Sequence, residues 1–379
     1  MRSIAMLFIK RMRFFHILFQ SFFLLFFQDL IAKKTVDPLE LFRNWDINRN
    51  GVLSRDELPN YAIKNFNKVD IDNDHLISID EHLSYLGKDF SKNKNFKFIY
   101  DLPYADSNNP RQTLDLIIPT KVDPQNPPFL VIWVHGGGWR SGNKSNGLST
   151  DRLPALVKTG RYAGASIGYR LSGESTWPAQ IHDCKAAIRW LRGNAKTFGF
   201  NASKIAVWGA SAGGHLVSML GTTNENKKFE GTLGLYLNQS SRVNAVINFF
   251  GPSALLQMNN HPTVIDHNAP NSPESELMGF PIQKFKDKTR NASPLHHVAK
   301  DHVSFIHFHG TDDPLVPFHQ SKIFHQAIQK KGAKSTLITL EKGKHSMPSS
   351  TTHEFVIPYL DFTFYGLGSS LKDHKINDK

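Results

Sequence analysis

The chain has 379 residues, with 45 Lys+Arg against 33 Asp+Glu and a formal net charge of +12. Hydrophobic residues make up 40% and charged residues 21%, a globular composition that excludes a collagenous or wholly disordered chain. The single cysteine excludes an intrachain disulfide and a cysteine-built zinc site.

Residues 1–32 read as a leader. Arg2, Lys10, Arg11 and Arg13 come first, the run Phe14–Phe27 is almost entirely apolar, and Ala32 offers a small residue for cleavage. That is the layout of a secretory signal peptide. The apolar run is 14 residues, short of the roughly 20 that cross a bilayer as a helix. The expectation is a secreted, periplasmic or extracellular protein with no stable membrane span once the signal is cleaved. A retained anchor is the rival, because Leu30 is larger than the cleavage pattern prefers.

Residues 33–95 carry two acidic loops. The first places Asp46, Asn48, Asn50 and Ser54 at positions 1, 3, 5 and 9, Gly51 at 6, Val52 at 7 and Glu57 at 12. Calcium takes 6–8 hard oxygen ligands, and a short loop supplies them by turning sharply at position 6 and ending in a bidentate carboxylate. The second loop starts at Asp70 and repeats the pattern with Asp72, Asp74, Leu76, Ser78 and Glu81, but has His75 where glycine is expected. Position 6 favours positive φ, which a histidine adopts at some cost, so the second loop is expected to bind more weakly. The pair resembles two EF-hands, with Leu53 and Ile77 placed to pair between loops. Only residues 58–69 separate the loops, so one short helix is expected to serve both, in a compact structural unit. Calcium is the one ion expected to bind, and catalysis is expected to need no cofactor.

From residue 96 to 365 the pattern alternates strand and helix. Phe129–Val134, Tyr162–Tyr169, Lys204–Trp208, Val243–Phe249, Val303–Phe308 and Ser335–Leu340 read as buried strands. In the helix expected over Pro178–Phe198, Ile181, Cys184, Ile188 and Leu191 share a face, which makes Cys184 a core residue. The alternation implies a mostly parallel sheet covered on both faces. Residues 253–290 interrupt it and are expected to form a cap. Residues 366–379 are expected to be a polar tail.

Three loops at strand ends carry chemistry. Gly209-Ala210-Ser211-Ala212-Gly213 follows a strand and precedes a helical pattern, the context a nucleophile elbow requires. His135-Gly136-Gly137-Gly138-Trp139 follows the strand ending at Val134, and its glycines leave backbone N–H groups unshielded. Gly137, Gly138 and Ala212 are the expected oxyanion hole, with His135 bracing the loop. His309–Pro317 and Gly343–Ser346 supply an acid and a base, giving the chain order Ser–Asp–His of α/β-hydrolases. Asp312 and Asp313 compete for the acid, and His345 is the base. His307 and His309 could also pair on a metal, although no third ligand has convincing spacing.

These motifs, with Tyr169–Ser172, Pro178–Gln180, His182–Arg192, Trp208–His215 and Phe249–Pro252, resemble an α/β-hydrolase carboxylesterase of the hormone-sensitive-lipase kind. The chain looks closer still to bifunctional feruloyl and acetylxylan esterases. The resemblance spans nearly all of 96–365. It implies Ser211 as nucleophile, His345 as base and Asp313 as acid, since the family's acid lies four residues after His309. It also implies acetyl, feruloyl or other short acyl esters as substrates, on small molecules or polysaccharide. Lys344 departs from the small residue more common beside the base.

Two rivals differ in class. A prolyl-oligopeptidase-like serine peptidase shares the fold, but no propeller repeat is present and the HGGGW loop favours esterases. A calcium-dependent binding protein with an inactive hydrolase fold would not need the complete Ser–Asp–His set. The charge divides by region. The leader has four bases against one acid, residues 33–95 have 10 against 11, and the remainder has 31 against 21. The basic character therefore belongs to the hydrolase region. Without a basic arm or recognition helix, no nucleic-acid partner is expected.

Overall fold

The computed structural model describes residues 38–48, 51–70, 74–85, 95–149, 152–224, 226–300 and 303–377. The leader (1–32), Asn50 and Asp72 lie outside the described residues.

The N-terminal unit is built on helix α1 (Pro38–Trp45), strands β1 (Val52–Leu53) and β2 (Ile77–Ser78), and helix α2 (Ile79–Tyr85). β1 and β2 are antiparallel, with Leu53 opposite Ile77. Phe42, Leu53, Leu58, Phe66, Val69 and Ile77 form its core. The segment between the loops is two single turns, Asn60–Ile63 and Phe66–Val69, rather than the one helix expected. The break falls at Lys64-Asn65, and asparagine is a poor helix former.

Nine further strands form one sheet in the order β11-β10-β9-β8-β7-β5-β6-β4-β3. They are β3 (Phe96–Pro103), β4 (Thr113–Pro119), β5 (Phe129–Val134), β6 (Tyr162–Ile167), β7 (Asn201–Ala210), β8 (Ala245–Phe249), β9 (Ser304–Gly310), β10 (Ser335–Glu341) and β11 (His374–Asn377). Every pairing from β6 across to β11 is parallel, while β3 and β4 are added antiparallel at one edge. Residues 366–379 are therefore not simply a tail. His374–Asn377 pairs with β10 through Ile338–Glu341. Its sequence, HKIN, holds one apolar residue, as suits an exposed edge strand whose charge discourages further pairing.

Helices cover both faces. On one side α4 (Ala179–Gly193), α5 (Ala212–Thr222) and α7 (His319–Lys330) pack through Ile181, Cys184, Ile188, Leu216, Leu220 and Phe324. Cys184 is fully buried there. The long helix stops at Gly193 and resumes as Ala195–Phe198, shorter than the continuous helix expected. Any side chain at Gly193 would collide with the Tyr236 ring. On the other face Trp133, Trp208, Phe249 and Phe308 pack together with α3 (Leu153–Lys158) and the segment Thr352–Phe364. The Trp133 and Trp208 rings meet edge to face at 5.4 Å, as their register across β5 and β7 dictates.

The strand order reverses at β5, whose neighbours are β6 on one side and β7 on the other. In an open parallel sheet, ligands bind beyond the carboxyl ends of the strands at such a switch point. Val134 ends β5 opposite Gly209 of β7, so the glycine loop and the serine turn emerge side by side. Gly310 of β9 lies opposite Leu340 of β10, which brings together the loops that follow them.

Candidate active site

Ser211 stands between β7 and α5 at φ 55° and ψ −120°, a conformation that a non-glycine residue holds only when its surroundings over-determine it. Its N–H donates to the Phe249 carbonyl at 2.9 Å. A side chain at Gly213 would run into the Val134 carbonyl, and one at Gly209 into Gly213. The turn is thus too tight for bulk two residues on either side of Ser211. Ala212 opens α5, and the first N–H groups of a helix have no intrahelical acceptor.

The glycine loop is turned back on itself. Gly137 has φ 108° and Gly138 φ 59°, values that favour glycine, and a Cβ on Gly136 would meet the Ala210 carbonyl at 2.7 Å. The loop is pinned from behind. The His135 ring stacks on Tyr169 at 4.2 Å, the Tyr169 hydroxyl donates to the His135 carbonyl at 2.9 Å, and Trp139 Nε1 donates to His215 Nδ1 at 3.2 Å. Burial lowers both His135 and His215 to about 4, so both are neutral structural rings at ordinary pH.

His345 Nδ1 lies 2.6 Å from Asp313 Oδ2. A carboxylate only accepts, so Nδ1 carries the proton and Nε2 is left as an acceptor. The other Asp313 oxygen accepts the N–H groups of Leu315 at 2.8 Å and Val316 at 3.0 Å. His309 Nε2 is 3.2 Å from Oδ2. Burial alone would raise the Asp313 carboxyl, but the hydrogen bonds from His309 and His345 outweigh it and hold the group well below the usual aspartate range. Asp312 is exposed and takes the Thr311 hydroxyl instead. Of the two adjacent acids, Asp313 is the one on His345. Lys344, beside the base, is exposed.

Ser211, Ala212, Gly137, Gly138 and His345 all line one cavity of about 830 Å³ at the carboxyl ends of the strands. Ile265, His267, Pro273 and Glu274, from the segment expected to be a cap, line it as well. Helix α6 (Pro273–Met278) lies in that segment.

Several contributors were not legible in sequence. The sequence places His309 two residues from His307 as a candidate metal pair. His309 instead braces Asp313, with Nδ1 2.8 Å from the Ser321 hydroxyl. Among the described residues no third His, Cys, Asp or Glu side chain completes a metal site with His307 and His309. Phe250, at φ 42°, packs its ring 4.3 Å from that of His345. The only sequence signal for it was its place in the Phe249–Pro252 motif.

In the N-terminal loops, Gly51 has φ 84° and His75 φ 68°, so position 6 takes the same left-handed turn in both. Asp46 Oδ2 accepts the Gly51 N–H at 3.0 Å, and Asp70 Oδ2 accepts that of His75 at 3.2 Å. Glu57 accepts the Ser54 N–H at 2.9 Å, and Glu81 that of Ser78 at 2.8 Å. Asn48 donates its N–H to Glu57, and Asp74 accepts that of Leu76 at 2.8 Å. Val52 begins β1.

The fold and this arrangement define an α/β-hydrolase. A family model described as BD-FAE matches residues 114–328, more than half of the chain, and the chain belongs to that family. Esterase LipC of Mycobacterium tuberculosis is 29% identical over 223 residues, covering 59% of this chain and 53% of the relative. The chain spans about half the length of the mycobacterial esterases it matches. Among solved structures, a truncated carbohydrate esterase from gut microbiota is 30% identical with a TM-score of 0.63, over 72% of this chain and 96% of the other. A bifunctional GH43-CE protein of Bacteroides eggerthii is 33% identical with a TM-score of 0.65, over 72% of this chain and 38% of the other.

Proposed function

We propose that the chain is a serine carboxylic-ester hydrolase. The observation that carries this reading is the 2.6 Å contact of His345 Nδ1 with Asp313 Oδ2, on a cavity shared with Ser211 and the glycine loop. Ser211 Oγ attacks the ester carbonyl while His345 Nε2 takes its proton. The N–H groups of Gly137, Gly138 and Ala212 stabilise the oxyanion, a contribution of roughly 3–4 kcal/mol per donor in comparable sites. His345 then gives its proton to the departing alcohol. The acyl-enzyme is cleared by water that His345 deprotonates, which regenerates Ser211. Asp313 fixes the tautomer throughout and stabilises the imidazolium.

The substrate class proposed is a short acyl or aromatic acyl ester, of the acetyl or feruloyl type, on polysaccharide or small molecules. Membership of the BD-FAE family and the likeness to carbohydrate esterases support it. The test is an activity panel of acetylated xylan, methyl ferulate and 4-nitrophenyl esters of rising chain length, run beside Ser211→Ala. Release of acid by the wild type and not by the variant is expected. Equal, slow release by both would overturn the assignment.

The organisation proposed is a secretory leader over 1–32, a calcium-binding unit over 33–95 and a hydrolase over the rest. The positive φ at position 6 of both loops and the Leu53–Ile77 pairing support two EF-hand loops. Asp46, Asn48, Asn50, Val52 and Glu57 would hold one calcium ion, and Asp70, Asp72, Asp74, Leu76 and Glu81 the other. The ions would stabilise the fold of this unit and take no part in the chemistry.

A further inference from the structure

The cavity around Ser211 is also lined by Trp133, Asn146 and Arg152. The Arg152 guanidinium lies over the Trp133 ring at 4.8 Å and near the Phe249 ring at 5.8 Å. Trp133 is in β5 and Phe249 ends β8, the strands on either side of β7 and its serine turn. Arg152 is therefore held against the same strand ends that build the catalytic site.

Other largely enclosed cations among the described residues have oxygen partners. Lys144 meets Asp115, Lys185 and Arg189 meet Glu230, and Arg192 binds backbone carbonyls. Arg140, on the same cavity, pairs with Glu276 at 3.3 Å. Among the described residues no carboxylate pairs with Arg152, and its contacts are the two rings. Burial lowers its guanidinium to about 10, which leaves it cationic at neutral pH. An uncompensated cation in a partly dry site costs stability, and stacking on an aromatic ring offsets only part of that. The guanidinium lines the cavity, and Glu274, the carboxylate on the same lining, is paired with His267 at 3.0 Å. A guanidinium there is shaped to take a carboxylate with two parallel hydrogen bonds.

We propose that Arg152 is a specificity-determining residue that selects ester substrates bearing a carboxylate within reach of the cavity. The carboxylate sits on either the alcohol, as in an acetylated uronic acid, or the acyl group, as in a half-ester of a dicarboxylic acid. This inference rests on the ester-hydrolase reading of the same site. It narrows that reading from short acyl esters in general to anionic ones.

The test compares two matched pairs on the full chain. One pair is an acetylated methyl glucuronoside and the acetylated methyl glucoside. The other is mono-4-nitrophenyl adipate and 4-nitrophenyl hexanoate. In one pair the charged member should have a kcat/KM about 10–100-fold above its neutral partner, the range of a charge-assisted hydrogen bond. That preference should lie mainly in KM and shrink with added salt. The pair that responds identifies where the carboxylate is carried. Arg152→Met should abolish the preference and Arg152→Lys retain part of it, with thermal unfolding confirming that each variant folds. The salt dependence of the wild type needs no variant. Equal kcat/KM for charged and neutral members of both pairs would overturn the inference, as would an equal loss on both members in Arg152→Met. A wild type inert towards all four esters would overturn the ester-hydrolase reading itself.

Discussion

Asp313 shows how much one side chain's surroundings decide. Its carboxylate meets His345, His309 and two backbone N–H groups, whereas its neighbour Asp312 is exposed. Asp313→Asn should therefore lower kcat by about 10³–10⁴-fold, since an amide no longer enforces the right tautomer. Asp312→Asn should change it less than about threefold, and steady-state kinetics on both variants checks the contrast. Buried titratable groups also fix how acid acts on stability. His135 and His215 fall from the ordinary 6.5 to about 4 on burial. Between those values the unfolded chain binds protons that the folded one refuses, so stability falls as pH falls from about 6.5 to 4. At Asp115 burial opposes, but Arg43 and Lys144 outweigh it and hold the carboxyl below its ordinary value. Asp115 and Asp313 therefore add a further loss as pH drops below the aspartate range. Melting temperatures across pH 7 to 3 should decline in that order, and a flat profile would count against it. Ser211 and His345 were legible because each stands in a short motif after an apolar run, whereas the motif alone left Asp312 and Asp313 as alternatives and the family resemblance favoured Asp313. His309, Phe250 and Arg152 were not legible, because contacts between distant segments define their roles.

Strand ends carry the site, and the apolar runs that form the central strands were easy to read. Phe129–Val134 is such a run and is almost wholly buried. The edges were harder. β3 alternates partly exposed positions, and β11 has a single isoleucine among polar residues, so neither carries the signal of a buried strand. Removal of residues 366–379 should uncover β10, lower thermal stability and promote association through the freed edge. Light scattering and thermal unfolding of the truncated chain test this, and unchanged values would contradict it. The glycine loop has a separate vulnerability. A side chain at Gly137 would meet Ser141 at a positive φ. Gly137→Ala should therefore displace the oxyanion donors and cut kcat by about 10²-fold or more, with less effect on KM.

Across the whole molecule, the N-terminal unit is joined to the hydrolase by charge as well as by packing. Arg43 of α1 meets the fully buried Asp115 of β4 at 2.7 Å, and Lys144, soon after the glycine loop, meets the same carboxylate at 2.8 Å. Leu83 of α2 shares a core with Phe96 of β3. Arg43→Met leaves Asp115 with one cation in place of two and should destabilise the chain by about 2–3 kcal/mol, read from denaturant unfolding. If the two loops bind calcium, chelation should lower the melting temperature of the wild type, and Glu57→Gln with Glu81→Gln should remove that sensitivity. The change of sequence pattern near residue 96 falls where the two-stranded sheet gives way to the nine-stranded one. The ion pairs that join the two units were not legible in the sequence, because Arg43, Asp115 and Lys144 meet only in three dimensions.

The most direct test of the central claim is covalent labelling. A fluorophosphonate should inactivate the protein with a stoichiometry of one, and mass spectrometry should find the adduct on the Ser211 peptide. Ser211→Ala should take up none. Label on another residue, or turnover that survives full labelling of Ser211, would contradict the account.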